Sequence, residues 1–140
     1  MDKMYSEIID LINNVDSTKD AINVINTHGN YRFLEFLKIA LDKDIVFDVD
    51  IPNYKPSDSS AGLSYSSLSF ETKKLYRFIK NHPDRPSGLT DKVREDLLLI
   101  LLESLHKEEA ELLVRVMKKE FNVKHITLDL VKDMIKLIGH

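Results

Sequence analysis

Residues 90–121 read TDKVREDLLLILLESLHKEEAELLVRVMKKEF and decide the fold class. Their centre, residues 97–102, is apolar on every side of a helix, and such a helix is normally buried by several neighbours. The run is too short to span a bilayer. We therefore predict that it forms the central helix of a protein core. Thr90 is its predicted N-cap, and a further helix begins directly after Ser104 or His106.

Helical spacing of apolar residues continues on both sides of this stretch. It predicts short helices over residues 4–15, from Ser17 to Gly29, over Tyr31–Leu41 and from Ser69 to about Asn81, with a last helix opened by Thr127. Gly29 is a predicted left-handed helix stop, and Asn30 is a predicted N-cap. The sum is an all-α fold, a single domain over residues 1–140 with six or seven helices.

Two segments interrupt the helical pattern. Residues 44–50 alternate with a period of two, which predicts extended chain and leaves open one edge strand or none. Residues 52–67 contain two prolines, a glycine and six serines, so they predict a long loop. Such a loop is either a connection that wraps around the domain or a functional segment, and the sequence leaves both open.

Composition narrows the class of protein. The 140 residues include no cysteine, which excludes disulfides and thiolate metal sites and fits a reducing compartment. The first ten residues, MDKMYSEIID, contain no apolar signal core, so we expect no export or membrane segment and a cytoplasmic location. The net charge of −3 argues against a wholly basic coat for nucleic acid but permits a local basic patch.

Catalytic and metal-binding patterns are not visible in the sequence. Its glycines, at positions 29, 62, 88 and 139, are too scattered for a phosphate-binding loop, and its histidines lack helical metal-ligand spacing. The acidic cluster of Asp42, Asp44, Asp48 and Asp50 lacks the glycine and terminal glutamate of a calcium loop. We predict no catalytic residues, no metal and no cofactor, and interpret the acidic cluster as a solvated edge.

The predicted helix from Ser69 has a strongly basic face. Lys73, Lys74, Arg77 and Lys80 fall opposite the apolar Leu75, Phe78 and Ile79. Between residues 69 and 94, seven basic and three acidic residues give +4, and extension to residue 96 lowers this to +2. Such a face suits the phosphates of a nucleic-acid backbone, and the alternative is an ordinary solvated helix face.

Four parts of the chain resemble a known family. They are residues 8–22 (IIDLINNVDSTKDAI), the helix Tyr31–Leu41, the Pro/Gly loop, and residues 111–121 (ELLVRVMKKEF). Together they resemble the N-terminal DNA-binding domain of ATP-dependent DNA ligases, especially the T-even bacteriophage type. The chain is also similar to small proteins of T-even-like phages and cyanophages that share the loop Tyr-Lys-Pro-Ser-Asp, here residues 54–58.

The resemblance implies an all-helical domain that grips double-stranded DNA across the minor groove through backbone contacts. The candidate phosphate contacts are Lys55, Lys73, Lys74, Arg77, Lys80, Lys119 and Lys124. Two features depart from the family. The Lys-x-Asp-Gly motif is absent, and the chain has no room for the nucleotidyltransferase and OB domains. The turn at residues 122–125 also lacks the glycine typical of ligases, and Lys124 stands there instead.

These observations favour a non-catalytic, phage-encoded protein that binds DNA as an accessory to replication or repair. The alternative is a protein-interaction module in which the same scaffold binds a host or phage protein. The net negative charge and the missing turn glycine favour this alternative.

Overall fold

Seven α-helices make up most of the chain in the computed structural model, which describes residues 3–58 and 63–138. They are α1 (Tyr5–Asn14), α2 (Thr18–His28), α3 (Tyr31–Leu41), α4 (Leu68–Glu71), α5 (Asp91–Ser104), α6 (Lys107–Met117) and α7 (Leu128–Ile138). A 3₁₀ segment, Thr72–Phe78, continues α4. The predicted all-α class is therefore confirmed. Residues 44–50 form no strand, and their one pairing is an antiparallel bridge between Phe47 and Ile79.

The predicted helix caps are confirmed for three helices. Ser17 Oγ accepts a hydrogen bond from Asp20 N at 3.1 Å, and Asn30 Oδ1 accepts one from Phe33 N at 3.0 Å. Thr90 Oγ1 accepts one from Val93 N. Each cap satisfies an N–H group that has no partner within its own helix, so these boundaries follow from local sequence.

The core includes residues of α1, α3 and α5, and the prediction that α5 is buried on every side is wrong. Ile12 of α1 and Phe36 of α3 have no exposed surface, and the ring of Tyr5 packs edge-on against Phe33 at 4.9 Å. In α5 one face is buried, whereas Ile100 is 67% exposed. A run of consecutive leucines has no periodicity, so it does not reveal that only one of its faces will be covered.

Gly29 ends α2 for a different reason from the predicted one. Its φ of −89° and ψ of 176° are extended, not left-handed. A Cβ at this position would lie 2.8 Å from the Ile25 carbonyl oxygen and 3.0 Å from the ring of Phe33. Glycine is required because the backbone between α2 and α3 approaches its neighbours too closely for a side chain.

The predicted fourth helix begins earlier and winds more tightly than expected. Ser67, and not Ser69, is its cap, with Ser67 Oγ accepting a hydrogen bond from Phe70 N at 3.2 Å. After Glu71 the chain becomes a 3₁₀ helix, whose three-residue turn matches the burial of Thr72, Leu75 and Phe78. It ends before Asn81 because Ile79 turns extended to pair with Phe47.

The described parts of the long loop wrap around the end of α5. Lys55 N donates to the Glu103 carboxylate at 2.7 Å, and Ser66 N donates to the Ser104 carbonyl at 3.0 Å. The middle of the predicted loop, residues 59–62, lies outside the described residues, as do Gly139 and His140. None of the helices in the described part of the chain has both the length and the apolar character needed to cross a membrane.

The two described glycines give a matched test of close packing. We expect Gly29→Ala to lower the free energy of unfolding by about 1–3 kcal/mol, because the new methyl group overlaps the Ile25 carbonyl. Gly88→Ala meets no atom within 4 Å, so it should leave stability unchanged or raise it by about 0.4–1 kcal/mol. Urea unfolding measures both, and equal effects would contradict the packing argument.

Candidate functional site

Four cationic side chains share one side of the 3₁₀ segment and the residues after it. We call Lys73, Lys74, Arg77 and Lys80 the basic surface. Lys73 and Lys80 are exposed and the other two are half-buried, while Leu75, Phe78 and Ile79 point into the core. The predicted separation of the two faces is therefore confirmed, although the helix type differs. Within the described residues, no carboxylate pairs with any of these four side chains.

The other basic residues of the predicted patch are neutralised by the fold. Arg94 is buried, donates to the Asp48 carbonyl at 2.9 Å and pairs with the Asp91 carboxylate. Arg85 pairs with the Asp48 carboxylate at 3.2 Å, and Lys92 pairs with Asp96 at 2.9 Å. Of the seven basic residues counted between positions 69 and 94, the four of the basic surface are those without a carboxylate partner among the described residues.

Asp48 has a structural role that the sequence did not indicate. Its carboxylate lies near both Arg85 and Arg94, and its backbone N–H donates to the Phe78 carbonyl at 2.7 Å. This member of the acidic cluster is therefore a partner for two arginines, although its side chain remains 40% exposed. No group of three or more His, Asp or Glu side chains is arranged to hold a metal ion in residues 3–58 and 63–138.

Lys119 lies next to one end of the basic surface. Its backbone is left-handed, with a φ of 60°, and its Nζ donates to the Asp42 carbonyl at 3.1 Å. The ammonium also lies 5.5 Å from the centre of the Phe47 ring, and partial burial lowers the pKa of this lysine. Because Lys80 N donates to the neighbouring Val46 carbonyl at 2.8 Å, both lysines flank the same short segment.

The hydrogen bonds of Lys55 and Lys124 are with parts of the fold other than the basic surface. Lys55 is at the C-terminal end of α5, beside Glu103. Lys124 is at the C-terminal end of α1, where its backbone N–H donates to Asn13 Oδ1 at 2.8 Å. The N-terminal end of α1 lies about 15 Å away by helical rise, and it is that end which lies near the start of α4. The structure therefore brings four of the seven predicted residues together, with Lys119 beside them.

Two cations that the sequence analysis did not select face Lys73. Arg32 and Lys38 of α3 line, with Lys73, a groove of about 370 Å³. Arg32 pairs with Glu35 at 3.1 Å, so it is partly neutralised. Both lie on the polar side of a helix that the sequence predicted, but only the packing of α3 against the 3₁₀ segment reveals that they share a groove with Lys73.

A larger cleft opens beside the basic surface, where the first turns of α1 and α6 and the turn between α2 and α3 meet α4. Its volume is about 730 Å³, and its lining includes Asn30, Tyr65, Phe70 and His106. Tyr65 is 98% exposed and Phe70 is 50% exposed, which is unusual for aromatic side chains. The ammonium groups of Lys73 and Lys74 lie 4.3 Å and 4.7 Å from the centre of the Phe70 ring.

A buried carboxylate, that of Glu109, lies at the base of this cleft. Glu109 is 2% exposed, and its two oxygens accept hydrogen bonds from Tyr5 N at 2.9 Å and Leu68 N at 3.1 Å. Tyr5 and Leu68 are the first residues of α1 and α4, so one side chain caps two other helices. Burial raises the pKa of Glu109, and the two backbone N–H groups and His106 only partly offset this.

The chain belongs to the family described as Family of unknown function (DUF6433), whose model matches residues 8–123. The matched segment contains the basic surface and Glu109 and ends before α7. The comparisons with curated proteins and with solved structures found no match.

The bridging role of Glu109 gives a prediction for stability. We expect Glu109→Ala to lower the free energy of unfolding by about 2 kcal/mol or more, because two buried N–H groups lose their acceptor. Glu109→Gln should recover only part of this loss, since its amide offers one acceptor and turns a donor towards the second N–H. Urea unfolding at neutral pH measures both, and equal stability of the two variants would contradict the bridge.

The same residue gives a prediction for pH dependence. Because the pKa of Glu109 is raised above its ordinary value of 4.5, the folded protein holds this proton where the unfolded chain has lost it. The free energy of unfolding of the wild type, relative to that of Glu109→Gln, should therefore fall as the pH rises from 4.5 through the folded-state pKa. Above that range the difference should stay constant. A difference that does not change with pH would contradict the raised pKa.

Proposed function

We propose that this DUF6433 protein is a non-catalytic accessory protein that binds double-stranded DNA through its basic surface. The observation that carries the proposal is that Lys73, Lys74, Arg77 and Lys80 share one side of the molecule with no carboxylate paired to them in the described chain. Cations that are not neutralised within the protein are available to replace the counterions of a phosphate backbone.

The resemblance to the DNA-binding domain of DNA ligases supports the same proposal. It points to a phage-encoded protein of replication or repair that acts in the host cytoplasm. Since the sequence has no Lys-x-Asp-Gly motif, we assign the chain no ligation chemistry of its own. Its contacts would be with phosphates, which position a protein on DNA without reading the bases.

The proposed phosphate contacts differ in how close they lie to the expected path of the duplex. A duplex on the basic surface would meet Lys119 at one end, and it would lie beside Arg32 and Lys38 across the groove. Such a duplex reaches Lys55 and Lys124 only if it wraps further around the protein, so we assign these two lysines outlying contacts. Lys124 donates its backbone N–H to Asn13, so this residue would contact phosphate through its side-chain charge.

Salt dependence and charge reversal test this function. We expect affinity for a duplex to fall roughly 100-fold between 50 and 200 mM salt, the response for about four phosphate contacts. The double variant Arg77→Glu, Lys80→Glu should weaken binding at low salt at least about tenfold and flatten the salt dependence. Fluorescence anisotropy with a labelled duplex measures both quantities.

The matched control reverses the same amount of charge elsewhere. Lys19→Glu with Lys132→Glu changes two exposed lysines on α2 and α7, and should leave affinity within about twofold because only the long-range field changes. No binding by the wild type at low salt would remove the proposed function. Equal losses in the two double variants would remove the assignment to the basic surface.

One observation favours a second candidate, a protein-interaction module with a host or phage partner. Val93, Leu97 and Ile100 follow one another along α5, and Val93 and Ile100 are 41% and 67% exposed. This apolar stripe is uncovered in a helix whose other face is buried. A pull-down from infected cells with nuclease treatment tests it. A partner kept by the wild type and lost with Val93→Ser, Ile100→Ser supports this candidate, and loss of all partners on nuclease treatment argues against it.

A further inference from the structure

We propose that the cleft beside the basic surface accepts an unpaired base, so that the protein prefers DNA with a single-stranded end to a fully paired duplex. This inference rests on the proposed function, because it assigns the basic surface to the phosphates of the same strand. It begins from Tyr65 and Phe70, two aromatic residues that line the cleft and are exposed.

The surroundings of Phe70 match what a stacked nucleotide needs. A base stacks on an aromatic face while nearby cations hold the phosphates, and this combination is typical of proteins that bind single strands. Lys73 and Lys74 already place their ammonium groups within 5 Å of the Phe70 ring, at 4.3 Å and 4.7 Å. A base that stacks on this ring would displace an ammonium, and the flexible lysine stem allows the charge to move to an adjacent phosphate.

The cleft has the size and the polar groups for such a ligand. Its volume of about 730 Å³ lies within the range of small-molecule sites. Ser64 lines it, and the Oγ of Ser64 is buried without a hydrogen-bond partner among the described residues. Buried polar atoms normally have partners, and this hydroxyl would reach a base edge if the Ser64 side chain rotates towards the cleft.

Base pairing and stacking in a duplex explain why the cleft would accept only an unpaired base. Within a duplex both faces of a base are stacked and its pairing edge is used, so an aromatic side chain reaches it only after the base leaves the stack. A single-stranded end supplies unstacked bases without that cost. The basic surface, on the residues that follow Phe70, would hold the phosphates of the strand that enters the cleft.

The test compares DNAs that differ only in their bases at one end. Fluorescence anisotropy should use a blunt duplex, the same duplex with a short single-stranded thymidine extension, and the same duplex with an abasic extension of equal length. The two extended DNAs carry the same number of phosphates beyond the duplex, so the abasic extension controls for the added phosphate charge. We expect the thymidine extension to bind about tenfold tighter than the abasic one.

Two aromatic variants locate the effect. Phe70→Leu and Tyr65→Ser change exposed side chains, so both should fold, which thermal unfolding checks. We expect Phe70→Leu to abolish the preference for thymidine over the abasic extension and to leave blunt-duplex affinity within about twofold. Tyr65→Ser should reduce the preference. A preference that survives in the double variant would overturn the assignment to this cleft.

The outcomes separate the two proposals. Equal binding of all three DNAs by the wild type overturns the unpaired-base site and leaves duplex binding intact. No binding of any DNA overturns the proposed function and the inference with it. Binding of the thymidine extension alone, lost in Phe70→Leu, supports the cleft and contradicts the assignment of the basic surface to double-stranded DNA.

Discussion

The hydrogen bonds of the Glu109 carboxylate hold together segments that are distant in the sequence. Tyr5 is 104 residues away and Leu68 is 41 residues away, yet both donate their backbone N–H to this one side chain. A carboxylate suits the role because its two oxygens accept from two helix N-termini, whose partial positive charge it also offsets. The cost is desolvation of a charge, which raises its pKa. The bridge is therefore a compromise between capping and burial.

The candidate site depends on this bridge through α4. Leu68 is the first residue of α4, and the chain continues from it into the 3₁₀ segment with the basic surface. Fixing Leu68 thus fixes the start of the segment, and the pairing of Phe47 with Ile79 fixes its end. Lys73, Lys74 and Arg77 lie between these two tertiary contacts, and Lys80 follows directly after the second. Spacing separates the charged side chains from the apolar ones, and the two contacts fix where the segment lies in the fold.

Local features of the structure were predictable from the sequence, and features set by distant contacts were not. The caps at Ser17, Asn30 and Thr90 depend on residues three positions away, so the local sequence is enough to predict them. The end of the 3₁₀ segment depends on the distant pairing of Ile79 with Phe47, and the need for Gly29 depends on the path between two packed helices. Neither of these two features produces a periodic pattern in the sequence.

The same distinction between local features and distant contacts applies to the candidate site. The four cations of the basic surface lie within eight residues of one another, so their shared face was predictable from spacing. Lys55 and Lys124 were grouped with them by resemblance, but their contacts with Glu103 and Asn13 place them elsewhere. Arg32 and Lys38 join the groove only through helix packing. The aromatic pair of the cleft was hidden because Tyr65 lies in a serine-rich loop and Phe70 in an apolar pattern typical of a core.

The distribution of arginine and lysine explains how an acidic chain presents a basic surface. Arg94 is buried among carbonyl and carboxylate oxygens, and Arg85 shares Asp48 with it. The planar guanidinium suits such sites because it donates several hydrogen bonds in fixed directions, whereas the ammonium of lysine is strongly hydrated and favours solvent. Arg85 and Arg94 are thus paired within the fold, whereas Lys73, Lys74, Arg77 and Lys80 have no carboxylate partner among the described residues. Net charge is then a poor guide to the partner, since the excess of negative charge does not neutralise the surface at Lys73 and Lys80.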